Sequence, residues 1–162
     1  MKKLLSLLCI ATLYFQPLSA EIFELALEVK TLHCPQCADD LQQRIEAIPG
    51  VQNATVIEEK SIVLINWDKE HYLQGEAFSK SLQDSLFAFQ SLELDFSAKI
   101  EKKGDVLTLT SEPDGTIFFI KDKKNIKLLA KHVEGDSVHL LASITHPEKG
   151  SNLLEIREVI EE

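Results

Sequence analysis

The chain is poor in methionine, in cysteine, in positive charge and in long apolar runs. Its one methionine is Met1, so a methionine-rich soft-metal site is excluded. It has three cysteines, Cys9, Cys34 and Cys37, too few for a disulfide framework, so the fold must rest on a hydrophobic core. Lysine and arginine number 17 against 26 acids, a formal charge of −9. Such a chain repels phosphate backbones, which argues against nucleic-acid partners. The longest apolar run, Leu4 to Phe15, is shorter than the roughly 20 residues needed to cross a bilayer. No later segment is apolar enough to cross, so the protein is not expected to be membrane-embedded.

What is present begins with an export signal. Met1-Lys2-Lys3 is a basic start, the apolar run follows, and Pro17-Leu18-Ser19-Ala20 supplies the small residues of a cleavage site, with Leu18 a tolerated variant at −3. Residues 1–20 are therefore expected to be removed after Ala20, leaving a secreted or periplasmic protein. A lipid-anchored alternative would use Cys9, but Leu8 before it is bulky where a small residue is wanted. Removing Lys2 and Lys3 and no acid takes the charge from −9 to −11. The same cut leaves Cys34 and Cys37 as the only cysteines.

Residues 21–99 read as one α+β unit. Phe23, Leu25, Leu27 and Val29 alternate with polar or small residues, the period of a half-buried strand. Ala38, Leu41, Ile45 and Ile48 recur at helical spacing, with Pro35 suited to the first turn and Pro49-Gly50 ending the helix. Val51 to Glu58 and Ser61 to Trp67 are strands around the polar turn Glu58-Glu59-Lys60. Phe78, Leu82, Ser85, Leu86 and Phe89 share one face of a second expected helix. Leu92, Leu94 and Phe96 alternate as a fourth strand. The order βαββαβ is the ferredoxin-like arrangement.

Composition shifts at Glu101-Lys102-Lys103-Gly104. Residues 100–162 carry the strand-like runs Val106–Thr110, Thr116–Lys121, Val138–Ile144 and Leu153–Ile160, separated by Asp114-Gly115, Gly135-Asp136 and Lys149-Gly150. The expectation is a small all-β domain, an OB-like barrel, holding at most a one-turn helix. Ile126 to Val133 fits a strand or a short helix. Of Phe118-Phe119, one ring is expected in the core and one at the surface.

The chemistry sits in Thr31-Leu32-His33-Cys34-Pro35-Gln36-Cys37. Two thiolates separated by two residues can face one ion from a single loop, and thiolates select soft ions. The loop ends a strand and opens a helix, whose N-terminal dipole favours thiolate. Two sulfurs suffice for a linear Cu(I) or Hg(II) site. Structural Zn(II) usually takes four ligands, which ranks it behind.

In that whole pattern the chain resembles the heavy-metal-associated domain family of copper chaperones, N-terminal modules of copper-pumping ATPases and periplasmic mercury scavengers. The residues that carry the resemblance are His33-Cys34-Pro35-Gln36-Cys37, the helix with Leu41 and Ile45, Pro49-Gly50-Val51, Ala54 to Val56, and Leu82-Gln83-Asp84-Ser85-Leu86-Phe87. It implies one ion held by Cys34 and Cys37 and passed by ligand exchange to a metal-accepting or metal-transporting protein. It also implies that Phe87 packs beside the metal loop. The family usually has Gly-Met ahead of the loop where this chain has Thr31-Leu32. Leucine replaces the packing volume of methionine well. His33 is expected to face solvent rather than to act as a third ligand.

The rival is a thiol–disulfide oxidoreductase, with Cys34 as nucleophile and Cys37 as resolving thiol. Such enzymes place a cis-proline opposite the cysteines, and neither Pro49, Pro113 nor Pro147 lies where it is needed. A further alternative is a non-catalytic interaction module whose cysteines form an inert disulfide. His132, His139 and His146 recur every seven residues but fall in different segments, so they share no face. No constellation of hydrolase chemistry is present. The expected protein binds Cu(I) or another thiophilic ion to deliver or sequester it, and is not an enzyme.

Overall fold

The structure, a computed structural model, describes residues 24–30, 35–103, 106–120, 122–147 and 152–160. The expected signal peptide, Phe23, His33, Cys34, the Lys149-Gly150 turn and Glu161-Glu162 lie outside these residues.

The first half follows its periodicity. Strand β1 is Glu24–Lys30, and it buries Leu25, Leu27 and Val29. Helix α1, Pro35–Glu46, begins on its proline and buries Leu41 and Ile45. Strands β2, Val51–Ile57, and β3, Ile62–Trp67, flank a single 3-10 turn at Glu58–Lys60. Helix α2 is Gly75–Ser81, and β4 runs Ala88–Lys103. These strands lie in the order β2-β3-β1-β4, each pair antiparallel.

The second expected helix is corrected. It stops at Ser81, eight residues short of Phe89. The reason is local polar competition with the helical backbone. The Ser85 hydroxyl donates to Leu82 O at 2.6 Å and accepts from Phe87 N at 3.1 Å. Asp84 adopts φ +60°, in the left-handed region. The apolar residues beyond the stop separate accordingly. Leu82 is buried, Leu86 is 80% exposed, and Phe89 belongs to β4, opposite Val29.

The second half contains β5, Val106–Ser111; β6, Ile117–Ile120; β7, Ser137–Ile144; and β8, Glu155–Ile160. Between β6 and β7 lies α3, Lys123–Leu128, started by the Asp122 carboxylate accepting from Lys124 N at 2.9 Å. The ambiguous Ile126–Val133 stretch is therefore the end of a short helix followed by turns. Phe118 is fully buried and Phe119 is 37% exposed, as the alternation requires.

Strand β4 joins the halves. Residues Ala88 to Asp95 pair with β1, Leu92 to Lys99 pair with β7 on the other edge, and Ala98 to Lys103 pair with β5. The eight strands therefore form one sheet that passes through residue 99 without a break. The described residues of the second half do not close as a continuous ladder. Among the described residues, β6 meets the approach to β8 through one parallel bridge, Phe119 to Leu153. A single apolar cluster runs through both halves, from Leu25 and Phe78 to Phe118 and Ile156.

Candidate metal centre

Strand β1 ends at Lys30 and α1 begins at Pro35, so the Cys-x-x-Cys loop spans a strand-to-helix junction. Cys37 lies in the first turn of α1. It is half-buried and packs against the apolar core. That turn holds no acid, and the next acids, Asp39 and Asp40, are exposed. Nothing of like charge in the turn opposes the helix dipole at the sulfur. Cys34, the other expected ligand, lies outside the described residues, as does His33.

Cys37 is disulfide-bonded. A sulfur in a disulfide has no thiolate charge to offer a metal, so this is the oxidised form of the site. Reduction by a dithiol takes two electrons and two protons and frees the thiols, whose deprotonated forms bind soft ions.

The frame around Cys37 is fixed from three sides. Leu41 and Ile45 anchor α1 to the sheet. Glu46 Oε1 accepts from Ala54 N at 3.2 Å, tying the end of α1 to β2. Arg44 Nη1 donates to Ser81 O at 3.5 Å, linking α1 to the end of α2. Gly50 turns the chain from α1 into β2 with φ +97°. Phe87, expected beside the metal loop, is 5% exposed. Its neighbour Ala88 pairs with Lys30, which puts Phe87 at the end of the sheet from which the loop departs.

The remaining histidines are engaged separately. His71 Nδ1 lies 3.0 Å from Asp68 Oδ2, His132 Nδ1 lies 4.0 Å from Asp136 Oδ2, and His139 Nε2 meets Asp95 Oδ1. Among the described residues no group of three His, Cys, Asp or Glu could hold a metal ion. Peptide bonds before Pro49, Pro113 and Pro147 are trans. No helix among the described residues is long and apolar enough to cross a membrane.

Sequence reasoning did not find the polar contacts that hold the start of α2: Asp114, Thr116 and Asn152. Asp114-Gly115 signalled a turn, and nothing in it shows that its carboxylate is buried. Arg44 as the link between the helices also carried no sequence signal.

Residues 26–86 match the heavy-metal-associated domain family. Similar solved structures are a CopZ metallochaperone, a copper binding domain from HMA7, a P-type ATPase, and the water-soluble region of the P-type ATPase CopA from Bacillus subtilis. The first is 20% identical, with TM-score 0.37, covering 41% of this chain and 97% of its own. The second is 16% identical, with TM-score 0.37, covering 45% and 93%. The third is 19% identical, with TM-score 0.37, covering 52% and 55%. No curated protein matches the chain.

Proposed function

We propose that this is an exported carrier whose first half binds one thiophilic ion between Cys34 and Cys37 and passes it to a protein partner. The observation that carries this reading is the heavy-metal-associated match over residues 26–86, which encloses a Cys-x-x-Cys whose second cysteine sits in an acid-free first helical turn. Cu(I) is the first candidate, because two thiolates complete its linear coordination. Hg(II) shares that geometry, and Zn(II) would need further ligands.

The ion is cargo. After reduction, Cys34 and Cys37 lose their protons and ligate it as thiolates. An incoming thiolate from a metal-accepting or metal-transporting protein bonds to the ion before the second donor sulfur leaves, so the ion is never free. The buried Phe87 keeps apolar bulk at this end of the sheet and limits water there. No bond of a substrate is made or broken catalytically. Residues 100–162, together with the β4 residues Leu92 to Lys99 that pair with β7, are read as an OB-like part of the molecule. The pairing of β4 with both β5 and β7 and the bridge from β6 towards β8 support this, since such barrels are five-stranded and partly open.

The disulfide at Cys37 favours a second reading, a thiol–disulfide oxidoreductase. One experiment separates the two. The protein from Glu21 onward is reduced anaerobically and titrated with Cu(I) against a competing chelator, alongside Cys34→Ser and Cys37→Ser. One-to-one binding that is lost in both variants is expected. Binding unchanged in the variants refutes the carrier. Catalytic turnover in insulin reduction, without tight Cu(I) binding, establishes the oxidoreductase instead.

A further inference from the structure

Helix α2 has seven residues, too few to persist without outside support. Its N-cap, Gln74, makes no capping bond through its side chain. The support comes from the far half of the chain. Gly75 N donates to Asn152 Oδ1 at 3.1 Å, and Asn152 Nδ2 donates to Leu73 O at 2.8 Å. Both amide atoms of Asn152 are used, and the backbone groups they meet fix which way the amide points.

Leu73 is held from a second side. Its N–H donates to Thr116 Oγ1 at 2.7 Å and to Asp114 Oδ2 at 3.2 Å. Because a backbone N–H can only donate, the Thr116 hydroxyl spends its own hydrogen on Asp114 Oδ2, at 2.6 Å. Thr116 N donates to Asp114 Oδ1 at 3.0 Å. Asp114 is 8% exposed, and these donors compensate the burial of its carboxylate. Gly75 is also pressed against β7. A Cβ there would lie 3.1 Å and 3.3 Å from two carbons of Ile144.

We propose that residues 100–162 act as a built-in clamp on α2, with Asn152, Thr116 and Asp114 supplying the N-terminal support that the helix lacks in its own sequence. The clamp holds the start of α2 against β7 while Phe78 seats the helix on Trp67. Release of the clamp opens α2 first, ahead of the strands beneath it. This role is stated for the oxidised protein and does not depend on which ion the cysteines carry.

The test is hydrogen exchange on the full-length oxidised protein, comparing α2 amides with those of β1 and β3 in the same sample. In Asn152→Ala and Thr116→Val, exchange in α2 is expected to rise about tenfold or more relative to the strands, as loss of two part-buried hydrogen bonds or one buried one requires. Thr116→Ser keeps the hydroxyl and is expected to stay within about threefold of the parent. Thr116→Val, which leaves Asn152 in place, serves if the Asn152 variant fails to fold, and its rise is expected to be confined to α2. Unchanged α2 exchange in these variants overturns the clamp. So does a rise of equal size in α2 and the strands, which would mean that α2 has no opening of its own.

Discussion

Gly50→Ala perturbs two things that can be separated. Gly50 has φ +97°, where an L-residue is strained by about 1–3 kcal/mol. A Cβ there would also lie 2.5 Å and 2.7 Å from ring carbons of Trp67 and 2.9 Å from His71 Cβ. Trp67 cannot simply turn away. It is 5% exposed, its Nε1 donates to His71 O at 2.9 Å, and its ring centroid is 6.1 Å from that of Phe78. Overpacking of this kind costs about a further 1–3 kcal/mol. The expected total is about 2–6 kcal/mol, or a fall in melting temperature of roughly 4–24 °C for a chain of this size. Gly135→Ala is the control, because Gly135 has the same φ and nothing within 4 Å of its Cβ position. Urea unfolding followed by fluorescence reads the effect directly, since Trp67 is the only tryptophan. The native emission of Gly50→Ala should also change. Equal destabilisation in the two variants, with unshifted emission, would refute the packing argument and leave only backbone strain.

Other expectations concern the core, the acid face and the site. Phe118→Ala should cost about 3–5 kcal/mol and Phe119→Ala less than about 1 kcal/mol, because only the first ring is fully buried; denaturation midpoints decide this. Burial pushes the Glu93 carboxyl up from its ordinary 4.5 despite help from Ser91 and Arg157. A raised carboxyl gives stability that is fully present below pH 4.5 and is lost as pH rises through the folded-state value. Glu93→Gln should therefore gain on the parent between pH 4.5 and neutrality, by less than about 1 kcal/mol given solvent screening of a half-exposed pair. An identical pH dependence in the two proteins would contradict this. For Cys37→Ser, the disulfide is expected to vanish and tight Cu(I) binding with it, read by mass after thiol labelling and by chelator competition.

The first half was largely legible because its elements obey single periods. Leu25, Leu27 and Val29 alternate, and Leu41 and Ile45 repeat at helical spacing, so each element states its buried face independently. Where the reading went too far, at α2, the apolar spacing from Phe78 to Phe89 was real but had two causes. Phe78 and Leu82 face the core from the helix and its last turn, and Phe89 faces it from a strand. Periodicity alone cannot separate these. The signal that could have is Asp84-Ser85, residues whose short polar side chains bond the nearby backbone and so favour ending a helix.

The site and the joint between the halves show the converse. The Cys-x-x-Cys and its strand-to-helix setting are local and can be read within some fifteen residues of sequence. The contacts that tie the second half to α2 join residues separated by 41, 43, 77 and 79 positions, and no local window can hold them. Asn152 gives no sign in sequence that both its amide atoms serve the backbone beside α2. The boundary at residue 99 was likewise a change in composition, from an alternating strand to the charged Glu101-Lys102-Lys103. The backbone ignores that change, because β4 is paired on both sides of it: with β1 and β7 before, and with β5 after. Charge tells which side chains meet water. It does not tell where a strand ends when new edge partners arrive from later in the chain.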